Sequence, residues 1–548
     1  MSGGAPVLEI CNLYVRLPPG ADREYAAEDV SLQLHAREIL CLVGESGSGK
    51  SLTARAVLGL LPRPHVHASG GRILFGSEDL LAVPEARLRE TRGAAISMIF
   101  QEPMTALNPV MSIGHQIDEV LRVHTAMSRR ERLARVMQLL EDVQLPEPAR
   151  ILGAYPHQLS GGQRQRAMIA MALILEPKVL IADEPTTALD VTTQAQILRL
   201  IRNLQATHHT TVLFITHDFG VVAEIAHRVA VMQNGRVVES ASADQVLNRP
   251  THPYTRELIA AVPALAPRES RKIDAAPVVL AIRELRKTYH TGGGLLSGGG
   301  RTVHAARGVS LELRRGETLG VVGESGSGKT TVAHCIVRLL DPDAGEVRLG
   351  DTDLCRLSRR QMRPFRRRIQ MVFQDPFGSL NPRYKIGRLI AEGPIVHGVD
   401  PEAAWMRALE LLELVGLDQR AADRFPHEFS GGQRQRVGIA RALALDPEIL
   451  VADEPVSALD VSVQAQVLRL LADIRDRLHL SMIFITHDLR VAAQVCDSIA
   501  VMRHGEVVEY GPTARIFASP RHSYTRELLD SVPGRHWEVP AELSVAGG

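Results

Sequence analysis

Nearly apolar runs too short for helices punctuate the chain: Ile39–Val43, Val179–Ala182 and Thr211–Ile215 in the first half, Ile449–Ala452 in the second. Such runs read as strands buried on both faces, since a half-exposed strand would alternate apolar and polar residues. A glycine-rich loop follows Ile39–Val43, and a helix is predicted from Lys50. Helical stretches separate the other runs. The βα alternation predicts a mainly parallel sheet covered on both faces. The stretches from Ile113 to Tyr155 and from Ile386 to Phe425 are charged and helical in pattern, and each predicts a separate helical subdomain.

The pattern occurs twice. Leu159-Ser160-Gly161-Gly162-Gln163-Arg164-Gln165-Arg166 returns as Phe429-Ser430-Gly431-Gly432-Gln433-Arg434-Gln435-Arg436, and the copies differ only in their first residue. Ser160 and Ser430 lie 270 residues apart, as do Asp183 and Asp453, His217 and His487, and Tyr254 and Tyr524. Lys50 and Lys329 lie 279 apart, because the second copy carries an extra glycine-rich insertion, His290 to Gly300, which reads as a flexible hairpin excursion. A period this long marks a duplicated domain, not a solenoid. Val262 to Pro277 is rich in Pro, Ala and charge without periodicity and reads as a linker. The expected domains are therefore residues 1–262 and 278–548, joined by 263–277.

Composition narrows the class. A chain of 548 residues exceeds one core. Its net charge of +1 gives no overall field for nucleic acid or anionic lipid. The five cysteines, Cys11, Cys41, Cys335, Cys355 and Cys496, form no CxxC pair, which fits a reducing compartment. Nothing resembles a membrane span or a signal peptide, so the expectation is a soluble, cytoplasmic chain. The basic run Arg359 to Arg368 reads as a solvated helix face, because the first half has no strong counterpart.

The chemistry concentrates at the ends of the predicted strands. Gly44-Glu45-Ser46-Gly47-Ser48-Gly49-Lys50-Ser51 and Gly323-Glu324-Ser325-Gly326-Ser327-Gly328-Lys329-Thr330 fit GxxxxGK[ST] between a strand and a helix. Such glycines let backbone N–H groups cradle phosphate oxygens at a helix N-terminus. Lys50 and Lys329 would reach the β- and γ-phosphates, and the hydroxyls of Ser51 and Thr330 would bind Mg2+. Asp183-Glu184 and Asp453-Glu454 end apolar strands. The aspartates are candidates to hold Mg2+ and the glutamates to orient and deprotonate the attacking water. Gln101 and Gln374 close further apolar runs, where a neutral amide can bind the metal or its water. His217 and His487, in Phe-Ile-Thr-His-Asp, can hydrogen-bond the γ-phosphate or the nucleophile. Ser160 and Ser430 open helices whose Gly-Gly N–H groups make a second anion-binding end. Two such ends per domain exceed what one nucleotide needs. The simplest resolution is a head-to-tail pair, with the signature of one domain closing over the phosphate loop of the other.

As a set, these residues resemble the ATP-binding-cassette family across almost the whole chain. The resemblance covers Walker A (Gly44 to Ser51, Gly323 to Thr330), the Q-loop (Gln101, Gln374), the signature (Ser160 to Gln163, Ser430 to Gln433), Walker B (Asp183-Glu184, Asp453-Glu454), the D-loop (Asp190, Asp460) and the switch histidine (His217, His487). It implies two tandem P-loop NTPase domains of α/β class, each with a RecA-like core, an antiparallel β subdomain and a helical subdomain. It further implies nucleotide contacts from Gly44, Ser46, Gly47, Ser48, Gly49, Lys50, Ser51, Leu52, Gln101, Ser160, Gly162 and Gln163. The second copy supplies Gly323, Ser325, Gly326, Ser327, Gly328, Lys329, Thr330, Thr331, Gln374, Ser430, Gly432 and Gln433. The implied cofactors are ATP and Mg2+, with Ser51, Gln101, Asp183, Thr330, Gln374 and Asp453 at the metal. Glu184, His217, Glu454 and His487 are the implied catalytic residues. The adenine-stacking aromatic matches Tyr289; its place in the first copy is Leu17, so either Tyr25 substitutes or stacking there is weaker.

Two features are similar to the dipeptide/oligopeptide importer branch: Glu102 to Pro109 with Asp375 to Pro382, and the closing segments His252 to Leu258 and His522 to Leu528. Many relatives carry a cysteine cluster after the latter; Val262 to Pro277 has no cysteine, so no iron–sulfur cluster is expected. The resemblance implies an importer ATPase at the cytoplasmic face of the membrane. Two transmembrane permease subunits and an extracytoplasmic substrate-binding protein would be its partners, and di- or oligopeptide its cargo. Nickel, glutathione or another small solute is the alternative cargo. A soluble tandem cassette acting on ribosomes or DNA is disfavoured, since the linker is short and nucleic acid is not an expected partner.

Overall fold

The computed structural model describes residues 5–544 except 188, 270, 272, 274, 292–300 and 458. Most of the expected excursion at His290 to Gly300 lies outside the described residues. The chain forms two compact units. The first takes the residues up to Leu189, Thr193–Val262 and the stretch from Pro533; the second takes Asp190–Thr192 and Pro263–Val532.

The first unit has two sheets. Strands β1 (Leu8–Arg16), β2 (Tyr25–Leu34), β4 (His67–Phe75) and β5 (Glu78–Asp79) form an antiparallel sheet in the order β2-β1-β4-β5. Strands β3 (Ile39–Val43), β6 (Ile96–Ile99), β7 (Val179–Asp183), β8 (Thr211–Ile215), β9 (Arg228–Gln233) and β10 (Arg236–Ser242) form a second sheet, ordered β10-β9-β3-β8-β7-β6. Every pairing there is parallel except β9 with β10. Every residue of β3, β7 and β8 is buried, as their apolar composition requires. The register sets Leu42 against Ile215 and Asp183 against Ile215. The carboxyl ends of β3, β7 and β8 therefore share one edge, where open parallel sheets bind ligands. The helical middle consists of Ile113–His124, Arg129–Asp142 and Pro148–Gly153.

The second unit repeats this plan. Strands β11 (Val278–Thr291), β12 (Arg301–Arg314), β14 (Ala344–Leu349) and β15 (Thr352–Asp353) make its antiparallel sheet. Strands β13 (Thr318–Val322), β16 (Ile369–Val372), β17 (Ile449–Asp453), β18 (Ser481–Thr486), β19 (Ser498–Arg503) and β20 (Glu506–Pro512) make its mainly parallel one. Helices Ile386–Val396 and Pro401–Leu414 form its helical middle. In the basic run only Arg363–Arg368 is helical, and Arg363, Arg366 and Arg367 are exposed.

Residues 263–277 carry no helix or strand among those described, yet they are bonded to the second unit. Gln494 Nε2 donates to the carbonyls of Ala264 (2.9 Å) and Ala266 (2.7 Å), and Arg268 N donates to Ala493 O (3.0 Å). The Arg271 guanidinium bridges Asp497 and the Gly316 carbonyl. The stretch from Pro533 completes the first unit, where Trp537 Nε1 donates to Asn248 Oδ1 at 3.2 Å.

Candidate functional site

The first phosphate loop leaves the end of β3 and enters the helix Lys50–Val57. Gly49, its last residue, has φ 105, and a Cβ there would lie 2.0 Å from the Ala26 carbonyl oxygen. Only glycine fits that close approach to β2. Lys50 is buried, and its ammonium donates to Gly44 O (2.7 Å), Glu45 O (2.8 Å) and Ser48 Oγ (3.3 Å). Its stem curls back over the loop, the charge pointing where phosphate oxygens would sit. Ser51 Oγ donates to Asp183 Oδ1 at 2.8 Å.

Asp183 ends β7 with no exposed surface, and burial raises its carboxyl above the ordinary range. Its Oδ2 is buried and has no hydrogen-bond partner. An orphaned carboxylate oxygen beside a serine hydroxyl fits a hard cation or its water, so these residues suit Mg2+.

Glu184 follows with φ 46, a left-handed backbone rare for a residue with a side chain. Its carboxylate is tightly held. Gln101 Nε2 and Thr187 Oγ1 each donate to Oε2 at 2.9 Å, and His217 Nδ1 lies 3.4 Å from Oε1. Burial pushes this carboxyl up, but the hydrogen bond and charge of His217 and the Thr187 hydroxyl outweigh it and bring it to about 2. Glu184 is thus ionised at neutral pH and aimed by its neighbours.

The second site repeats the first with small differences. Lys329 Nζ donates to Gly323 O and Glu324 O, both at 2.8 Å, and burial lowers its pKa. Thr330 Oγ1 donates to Asp453 Oδ1 at 3.3 Å, and burial pushes Asp453 up to about 6. Glu454 has φ 45; Gln374 Nε2 donates to its Oε2 at 2.7 Å, and His487 Nδ1 lies 3.3 Å from its Oε1. Burial lowers the His487 pKa, but the Glu454 carboxylate reverses this and leaves it raised. Ser457, in the place of Thr187, donates to the Glu454 carbonyl at 3.3 Å instead of to the carboxylate. Ser327 Oγ is buried in its loop without a partner, a donor that a phosphate oxygen would satisfy.

The signature residues form closed helix starts. Ser160 Oγ accepts from Gln163 N (3.3 Å) while Gln163 Oε1 accepts from Ser160 N (3.0 Å), a capping box on helix Gly161–Leu173. Ser430 and Gln433 do the same on helix Gly431–Leu443. Ser160 is exposed, and a Cβ on Gly162 or Gly432 would collide with Thr193 or Val463. Tyr289 OH lies 3.4 Å from Thr331 Oγ1, beside the second loop's helix. Tyr25 stands edge-on to Tyr14 with ring centroids 5.6 Å apart. Leu52 and Leu17 pack against the core of the first unit.

Sequence reasoning passed over four contacts. Thr187 holds Glu184. Gln165 is buried and donates to the Pro185 carbonyl at 2.6 Å, linking the signature helix to the turn after Glu184. Glu45 N and Glu324 N each donate to a tyrosine hydroxyl, Tyr254 and Tyr524 respectively. The tyrosines and Gln165 recur at the shared offset, Gln165 as Gln435; Thr187 does not, its counterpart being Ser457.

Comparison with known proteins adds the relatives. The ABC transporter family matches residues 27–187 and 306–457, and the family described as oligopeptide/dipeptide transporter, C-terminal region, matches 238–285 and 508–540. The chain is 49% identical over 527 residues to the peptidoglycan transport ATP-binding protein YejF of Agrobacterium fabrum, covering 96% of each. It is 45% identical over 557 residues to the glutathione import ATP-binding protein GsiA of Salmonella typhimurium, covering 96% of this chain and 89% of that one. A solved bacterial ABC transporter cassette, 31% identical, covers 43% of this chain and 98% of its own length at a TM-score of 0.39.

Proposed function

The chain belongs to the ATP-binding-cassette transporter family as an ATPase with two tandem cassettes, and we propose that it powers import of short peptides or peptide-like solutes through partner membrane subunits. The observation that carries the cargo class is the oligopeptide/dipeptide transporter C-terminal region, matched once in each cassette. Relatives named for peptidoglycan and for glutathione transport fit the same class, since both cargoes contain short peptide chains. The chain would sit at the inner face of the membrane against two permease subunits, with an external binding protein delivering solute. Among the described residues no helix is long and apolar enough to cross a membrane.

Residues of both sites take roles in ATP hydrolysis. Lys50 and Lys329 leave the loop carbonyls they now bond and neutralise the phosphates. Ser51, Asp183 and Gln101, and Thr330, Asp453 and Gln374, would hold Mg2+, which screens charge on the transferring phosphoryl group. Glu184 and Glu454 orient the attacking water and accept its proton; His217 and His487 fix those carboxylates from the other side.

The test is purification of the tagged full chain from native membranes. Two permease subunits are expected to co-purify. In the reconstituted complex, di- to pentapeptides with the binding protein are expected to raise ATP turnover several-fold. Co-purification with ribosomes and no membrane partner, or stimulation by a metal ion alone, overturns the reading.

A further inference from the structure

The segments His252–Leu258 and His522–Leu528 have no part in the chemistry above. Each forms a short helix, Pro253–Ala260 and Ser523–Asp530. The histidine caps it: His252 Nδ1 accepts from Tyr254 N at 3.3 Å, and His522 Nδ1 from Tyr524 N at 3.2 Å. A buried glutamate on the last strand of each large sheet clasps the cap. Glu239 accepts from Thr251 N (2.8 Å), Thr251 Oγ1 (2.8 Å) and His252 N (3.1 Å); Glu509 accepts from Arg521 N (3.0 Å) and His522 N (3.1 Å).

So anchored, the helices bury Tyr254 and Tyr524, which are 6% and 1% exposed. Each phenol oxygen lies 3.2 Å from a phosphate-loop amide, accepting from Glu45 N in one copy and Glu324 N in the other. These amides belong to the peptides Gly44–Glu45 and Gly323–Glu324, whose carbonyls accept from Lys50 and Lys329. One peptide plane is thus gripped from both sides, by a tyrosine at its N–H and a lysine at its C=O. Packing alone does not call for the hydroxyl, since a phenyl ring fills the same space and a buried hydroxyl is costly without a partner.

We propose that Tyr254 and Tyr524 are positioning residues for ATP, their hydroxyls fixing the first peptide of each phosphate loop. When the lysine turns to the phosphates it releases that carbonyl, and the tyrosine becomes the restraint that keeps the plane from flipping. The proposal rests on reading Gly44–Ser51 and Gly323–Thr330 as the ATP phosphate loops. It gives the signature of the C-terminal region a job at the nucleotide.

The test uses the full chain carrying Tyr254→Phe and Tyr524→Phe together. The Kd of ATP, titrated in a Glu184→Gln/Glu454→Gln background, is expected to rise about three- to tenfold, the loss of one neutral hydrogen bond per loop. KM for ATP rises in parallel while kcat stays within about twofold, a split that points to binding and not to chemistry. Unchanged Kd and KM with a lowered melting temperature would reduce the tyrosines to packing and overturn the proposal. The pair Lys50→Ala/Lys329→Ala separates the two claims: retained ATP affinity there overturns the loop reading itself. Should the phenylalanine variants not fold, hydrogen exchange of the wild-type chain without nucleotide decides. Protection at the Glu45 and Glu324 amides is expected, and free-loop exchange at both overturns the proposal.

Discussion

At the scale of single residues, the two sites differ in how their glutamates are held. Glu184 and Glu454 share a left-handed backbone, a glutamine and a histidine. Only Glu184 receives a third side-chain bond, from Thr187, while Ser457 turns to a carbonyl. Orientation of a catalytic carboxylate contributes directly to rate. Thr187→Val keeps the shape and removes the donor, so steady-state ATPase activity is expected to fall about two- to fivefold. Thr187→Ser is expected to restore it, and Ser457→Ala to change it less. Equal activities for Thr187→Val and the parent chain would show that Thr187 does not aim the base. The residues that recur at a fixed offset in strand-end motifs (Asp183, Glu184, His217) were legible in the sequence, because the chemistry limits what can stand there. The contacts of Thr187 and Gln165 were not: Thr187 has a serine as its counterpart, and Gln165, though it recurs as Gln435, sits in a helix where a glutamine has many ordinary uses. Their partners emerge only when the strand end and the signature helix are brought together.

At the scale of elements, the carboxyl ends of the parallel strands followed from apolar runs alone, and the structure places the candidate residues there. The clasp beneath the helix Pro253–Ala260 did not follow. Glu239 lies thirteen residues before His252, a spacing with no period that sequence reading would detect. Burial raises the Glu239 carboxyl, but the side-chain and backbone donors from the cap outweigh it, and its pKa falls below the ordinary 4.5. A carboxylate depressed by folding stabilises above its unfolded pKa and loses that contribution as pH falls through the folded value. Acidification below that range is therefore expected to free the cap and raise hydrogen exchange across residues 253–260. Glu239→Gln should show raised exchange already at neutral pH and a smaller further change in acid. Equal protection of residues 253–260 in the wild-type chain and in Glu239→Gln at neutral pH would show that the carboxylate does not hold the helix.

At the scale of the whole molecule, the duplication was legible from constant offsets, and the two sheets of each unit follow the same plan. The role of residues 263–277 was not legible. Their composition lacks any period, and their bonds come from Arg271 and from side chains such as Gln494 more than two hundred residues later. The stretch from Pro533 likewise meets a residue far back in the chain, Asn248. Deleting residues 533–548 is expected to destabilise the first unit selectively, lowering its calorimetric transition by several degrees, about what a loss of 1–2 kcal/mol does in a domain of this size. Exchange should rise in helices Phe219–Ile225 and Pro253–Ala260. Unchanged exchange in both helices would show that the stretch does not complete the first unit.

The same arrangement sets a clock. The first unit includes residues translated on either side of nearly the whole second unit. At typical elongation rates of 5–20 residues per second, its last piece leaves the ribosome roughly 15–60 s after Val262 does. Through that interval the nascent first unit must persist with one of its surfaces uncovered.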